Sequence, residues 1–171
     1  SKIKADGCHM GQLDGSFKIA RKKLKNKILG ITCHNSQKLA KNAIKIKADG
    51  CHMGQQDGSF EIARSKLKNK ILGITCHNSK KLAQDAIRNK ADYLAFGSFF
   101  KSKLKPKAIK ANLNILRWAK KNIQKPVVVI GGINNLNYKK LINNGAKYIA
   151  ISSFIWDNPK LKPEVAIKKF K

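Results

Sequence analysis

Short apolar runs alternate with amphipathic stretches along the chain. Ala48-Asp49-Gly50-Cys51-His52-Met53-Gly54 is a compact run ending at glycine. Ser59 then offers a cap ahead of Phe60, Ile62, Ala63 and Leu67, whose spacing lines one helix face. Ile71 to Thr75 predicts a second buried strand, and Ser79 opens a helix lined by Leu82, Ala83, Ala86 and Ile87. The alternation continues with a strand at Tyr93 to Phe96, a helix around Leu113 to Ala119 and a strand from Val127 that ends at Gly131-Gly132. A helix near Tyr138 to Ile142, a strand at Tyr148 to Ile151 and a terminal helix holding Val165 and Ile167 complete the pattern.

This pattern is written twice near the start. Lys2 to Ile44 recurs as Lys45 to Ile87, at the 43-residue offset that separates Cys8 from Cys51. The copies differ at six places: Leu13/Gln56, Lys18/Glu61, Lys22/Ser65, Gln37/Lys80, Lys41/Gln84 and Asn42/Asp85. Five of these are polar exchanges suited to outer surfaces, and every apolar residue except Leu13 is retained. Each copy is a β-α-β-α block, which brings the expected number of strands to about seven. Strands that alternate with helices predict parallel pairing through right-handed crossovers, and continuous apolar strands predict burial on both faces. The fold class expected is α/β: a parallel (β/α) barrel of the TIM type, incomplete or distorted, in a single barrel-like domain over residues 1–171, with an open α/β sheet the alternative. The chain is short for a full eight-stranded barrel, which usually needs about 250 residues.

Composition narrows the classes. The formal charge is +28, from 37 basic against 9 acidic residues, and lysine dominates. Only Arg21, Arg64, Arg88 and Arg117 carry the planar fork that grips phosphate or reads guanine, and they are scattered. The lysines therefore read as a solvated outer face, with a nucleic-acid partner the lesser expectation. No stretch reaches the roughly 20 apolar residues of a membrane span, and no signal-peptide core opens the chain, so the expected location is the cytoplasm. The absence of a methionine at Ser1 reads as a fragment or a trimmed start. Cys8, Cys33, Cys51 and Cys76 each precede a histidine, but neighbours in a strand point to opposite faces and cannot easily share a metal. Buried, inert thiols are the expectation.

In a parallel barrel the residues just after each strand gather at one rim, where chemistry is sought. Here they are small and polar: Gly54-Gln55-Gln56-Asp57, Thr75-Cys76-His77-Asn78, Gly97-Ser98, Gly131-Gly132 and Ser152-Ser153. Glycines that admit close backbone approach, followed one strand later by two serines, point to a phosphate site at the last two strands.

Five segments in order, ADGCHMGQQD (48–57), GITCH (73–77), ADYLAFGSFF (91–100), VVVIGGI (127–133) and IAISSFI (149–155), together resemble the thiamine-phosphate synthase family. The resemblance covers the chain from about Lys45 onward. It implies a transferase that condenses a hydroxymethylpyrimidine diphosphate with a thiazole phosphate, giving thiamine phosphate and diphosphate, with Mg2+ as cofactor and small phosphorylated molecules as partners. By the same resemblance Asp57 is a magnesium ligand, Thr75 stands for the family serine that meets the diphosphate, and Gln55 binds substrate. Lys105 stabilises the departing diphosphate. Ser102, Gly131, Gly132, Ser152 and Ser153 hold the thiazole phosphate. His52 and His77 both read as structural hydrogen-bonding residues at strand ends.

The sequence also departs from the family. Leu104 replaces a family threonine, and neither the Gln-x-Arg-type segment nor the Asn-Asp pair appears before Lys45. Copy 2–44 stands there instead, repeating as Asp14 and Thr32 groups that belong later in the barrel. Weak or absent synthase turnover is the resulting expectation. A thiazole tautomerase-like enzyme, with His77 foremost, and a lysine-rich nucleic-acid binder are the alternatives; a homo-oligomer stays open.

Overall fold

A computed structural model describes residues 7–10, 16–24, 28–32, 47–101 and 108–170. The elements follow in order: β1 (Gly7–Met10), α1 (Phe17–Leu24), β2 (Ile28–Thr32), β3 (Gly50–Met53), α2 (Phe60–Leu67), β4 (Ile71–His77) and α3 (Lys80–Arg88). Then come β5 (Tyr93–Gly97), α4 (Leu113–Asn122), β6 (Val127–Ile130), α5 (Tyr138–Asn143), β7 (Tyr148–Ala150), α6 (Ser153–Trp156) and α7 (Pro163–Ile167). The chain divides into two compact units, one of residues 7–75 with Gln84–Tyr93, the other of Cys76–Ala83 with residues 94–170.

In the first unit the strands lie in the order β1-β2-β3-β4, all parallel, with Gly7 opposite Ile28, Gly30 opposite Gly50, and His52 opposite Gly73. In the second, β5 pairs with β6 and β6 with β7, again parallel, with Leu94 opposite Val127 and Val128 opposite Tyr148. Four parallel strands in one unit and three in the other, each set in chain order and with a described helix between every consecutive pair but β2 and β3, are the wiring of an incomplete (β/α) barrel, as the apolar pattern predicts.

Burial explains why these segments are strands and helices. Leu29, Ile31, Leu72, Ile74, Cys76, Leu94, Phe96 and Val129 are almost wholly buried from the strands, and Ala83, Ala86, Ile115, Leu116, Ala119 and Leu141 from the helix faces. Each large apolar side chain so buried contributes about 1.5–3 kcal/mol. Helix starts follow local chemistry. The Ser59 hydroxyl accepts the Ile62 N–H at 3.2 Å, and the Ser79 hydroxyl accepts the Leu82 N–H at 3.2 Å. The short α6 was not legible in the apolar pattern.

Strand entry uses a recurring clamp. Asp49 donates its N–H to the Leu29 carbonyl at 3.0 Å while its Oδ2 accepts the Leu29 N–H at 2.8 Å. Asp92 does the same to Leu72, at 2.8 and 2.7 Å. Asp92 also accepts from Arg64 Nη1 at 2.8 Å, and Arg64 reaches the carbonyls of Lys68 and Lys70. Just before these aspartates, Lys47 and Lys90 adopt left-handed backbone, with φ of 54° and 55°. At Lys90 this closes α3: its N–H bonds the Ile87 carbonyl and the Ala91 N–H the Ala86 carbonyl. Gly145 closes α5 in the same way, with φ of 112°.

Candidate functional site

The residues after β3 and β4 form a tight local network. The Asp57 Oδ2 accepts the Gly54 N–H at 2.6 Å, which folds the loop after β3 into a turn. Gln55 Nε2 donates to the Thr75 carbonyl, tying that loop to β4. The Thr75 hydroxyl lies 2.8 Å from His52 Nε2, and the other ring nitrogen, Nδ1, lies 2.9 Å from the Tyr93 hydroxyl. The two rings stack with centroids 5.6 Å apart. Both nitrogens of His52 are thus engaged inside the protein, as a structural histidine requires.

Gly73 makes this network possible. A Cβ there would sit 1.9 Å from Tyr93 Cζ, so only glycine lets the phenol cross β4 to reach His52. Burial pushes the Tyr93 phenol well above its ordinary range, with a smaller push from Cys51. Burial also pushes the Cys76 thiol up to about 12, which makes it the inert core thiol expected. Cys51 and Cys76 are both buried, and neither forms a disulfide.

The second group lies at the ends of β6 and β7. Their parallel register runs from Val128 opposite Tyr148 to Ile130 opposite Ala150, so Gly131-Gly132 and Ser152-Ser153 leave neighbouring strands at the same end. Gly131 and Gly132 have φ of 101° and 61°. Cβ atoms on them would meet the Ser98 hydroxyl at 1.9 Å and the Lys101 carbonyl at 2.4 Å. Packing of the segment after β5 therefore demands both glycines, whatever ligand comes near them. Ser152 opens α6: its carbonyl accepts the Ile155 and Trp156 N–H groups, and its side chain makes no cap bond. Among the described residues no acceptor takes the amides of Ser153 and Phe154, the first of that turn.

Sequence reasoning missed two contributors. Tyr93 was read only as part of a strand, although a bulky phenol beginning a strand beside Gly73 was the available signal. Asn137 was also missed. Its Nδ2 holds the Gly132 carbonyl at 3.1 Å and its Oδ1 accepts the Asn134 N–H at 2.9 Å, which sets the loop after β6. Ser102 and Lys105 lie outside the described residues, as does Asp14. Among the described residues no three His, Cys, Asp or Glu side chains gather as a metal cage. Asp57 supplies one carboxylate, which suits the habit of magnesium of sharing its shell between one or two carboxylates and substrate phosphates. No described helix is long and apolar enough to cross a membrane.

The chain is similar to known proteins in sequence and in fold. The chain is 53% identical over 170 residues to a thiamine-phosphate synthase of Pelagibacter ubique, covering 99% of this chain and 61% of that protein. It is 46% identical over 152 residues to one of Alcanivorax borkumensis, covering 88% of this chain and 50% of that protein. The chain thus spans between half and about three-fifths of the length of these relatives. In fold it is similar to a thiamine phosphate pyrophosphorylase from Pyrococcus furiosus, with a TM-score of 0.80 at 23% identity over 97% of this chain and 81% of that one. It is also similar to a 3-hexulose-6-phosphate synthase, with a TM-score of 0.75 at 18% identity over 96% of this chain and 85% of that one. The family model for thiamine monophosphate synthase matches residues 39–155, from the end of the first copy of the repeat through the serines after β7, and the chain belongs to that family.

Proposed function

We propose that the chain acts as a thiamine-phosphate synthase-type transferase on small phosphorylated substrates in the cytoplasm. The observation that carries this reading is the in-register pairing of β6 with β7, which sends Gly131-Gly132 and Ser152-Ser153 out side by side. Backbone amides and small hydroxyls there suit an esterified phosphate, the thiazole phosphate of the acceptor, with Ser102 adding a hydroxyl.

In the reaction the C–O bond to diphosphate breaks, leaving a pyrimidine cation, and the thiazole nitrogen forms the new C–N bond. Thr75 donates a hydrogen bond to the departing diphosphate, Gln55 holds the loop beside it, and Lys105 offsets its charge by preorganised electrostatics. Asp57 is the carboxylate that would hold Mg2+, which would supply positive charge against the diphosphate.

The test is to measure thiamine phosphate formed from the two substrates and magnesium, alongside calorimetric binding of each substrate. Slow turnover with thiazole phosphate bound is expected, and Ser153→Ala is expected to weaken that binding about tenfold. Absence of any thiazole phosphate affinity sinks the reading. Affinity for thiazole phosphate without affinity for the pyrimidine diphosphate turns it toward the tautomerase alternative. Affinity for nucleic acid that collapses with salt would favour the lysine-rich binder instead.

A further inference from the structure

The chain Tyr93, His52, Thr75 has a direction, and the direction follows from counting protons. Among the described residues, His52 Nδ1 is the acceptor that the Tyr93 O–H reaches, at 2.9 Å. The half-buried Tyr93 phenol packs over Gly73, and turning its proton away from the acceptor at hand costs about 1–3 kcal/mol, so Tyr93 donates and Nδ1 accepts. A neutral imidazole that accepts at Nδ1 carries its proton on Nε2. Nε2–H then donates to the Thr75 oxygen at 2.8 Å. That oxygen is occupied as an acceptor, and its own proton is left to point elsewhere. Thr75 is half-buried, so a ligand can meet it. Burial, which raises the pKa of Tyr93, keeps the phenol protonated and so holds the order in place.

We propose that Tyr93 and His52 form a positioning pair that fixes the Thr75 hydroxyl as an outward hydrogen-bond donor to an anionic phosphate oxygen. The ligand half of this inference rests on the functional reading above; the proton order does not. With the pair intact, Thr75 meets an anion without first reorienting. Without it, the hydroxyl can turn inward to donate to the imidazole, and the anion meets a lone pair instead.

Two measurements on the whole chain test it. The first is the long-range 1H–15N spectrum of the histidines, with His52 assigned by its loss in His52→Gln. A proton on Nε2 with Nδ1 bare is expected, and a proton on Nδ1 overturns the proposal. The second is calorimetric binding of inorganic diphosphate with magnesium. Tyr93→Phe is expected to weaken it about three- to tenfold and Thr75→Val tenfold or more, whereas Thr75→Ser should restore most of it. Near-ultraviolet circular dichroism checks that each variant is folded; if Tyr93→Phe is not, the Val/Ser pair carries the test. Unchanged affinity in folded Tyr93→Phe, or equal loss in Thr75→Val and Thr75→Ser, overturns the positioning role. Failure of the wild-type chain to bind diphosphate, with the tautomer as expected, overturns the ligand half together with the functional reading and leaves the proton order standing.

Discussion

Residues 2–44 and 45–87 share all but six side chains, yet they do not end in the same surroundings. Both give a Gly-Cys-His-Met strand, an eight-residue helix and an Ile-Leu-Gly-Ile-Thr strand, and both pair those strands in the same register. Local pattern therefore decides the elements. The strand that follows decides the chemistry. After the second copy comes β5, entered through Asp92 and beginning at Tyr93; after the first comes β3, entered through Asp49 and beginning at Gly50. The aspartate is common to both, and so is its clamp. The next residue differs, and with it the means of engaging a histidine across the middle strand. Tyr93 reaches His52 over Gly73, but Gly50, opposite Gly30, has no side chain to send toward the position of His9. Nor can Gly50 be enlarged simply, because its Cβ would lie 2.5 Å from the Ile71 carbonyl.

The largest test of this contrast is alkaline unfolding. The folded state holds the Cys76 proton more tightly than the unfolded state, whose thiol titrates near 9.0, so this contribution is intact below pH 9 and is lost as pH rises toward about 12. The slope is about 1.4 kcal/mol per pH unit and the total about 4 kcal/mol. Tyr93 acts with the same sign at higher pH. Denaturant titrations from pH 8 to 12 should show this fall, and Cys76→Ala should flatten it. The same series on Cys33→Ala, in the other copy, would show whether both copies bury the thiol alike.

Next in size is Gly73→Ala, which drives a methyl into the Tyr93 ring and should cost about 3 kcal/mol by urea unfolding, and Gly30→Ala, on the strand whose following strand opens with Gly50 in place of a tyrosine, is expected to cost less. Equal losses would break the contrast. Removing the clamps by Asp92→Ala or Asp49→Ala should cost about 1–2 kcal/mol each, with Asp92 the greater because it also pairs with Arg64. The smallest effect is a gain: Lys90→Gly and Lys47→Gly relieve left-handed backbone and should stabilise by about 0.5–1 kcal/mol, read as an upward shift of the thermal midpoint.

These differences also mark what the chain discloses before it folds. The strands and most helices were legible because apolar spacing and serine caps act within a few residues. Asp57, Thr75 and the two glycine and serine pairs were legible as strand-end residues. That Gly131 and Gly132 answer to Ser98 and Lys101 was not, because the contact joins segments some thirty residues apart in sequence. The role of Tyr93 was hidden for a similar reason. The signal, a phenol opening one strand and a glycine within the strand before it, is split between segments twenty residues apart, and neither alone announces that the ring will cross to a histidine.

The aspartate at strand entry carries one more implication, for how such a chain can grow. Asp49 belongs to the second copy but fastens Leu29 of the first, and Asp92, beyond the repeat, fastens Leu72 in the same manner. Each block thus arrives with the carboxylate that secures it to whatever precedes it and presents the leucine that its successor will grasp. A tandem insertion of one whole block creates no unmatched joint, so sheets of this wiring can lengthen by units without inventing a new seam.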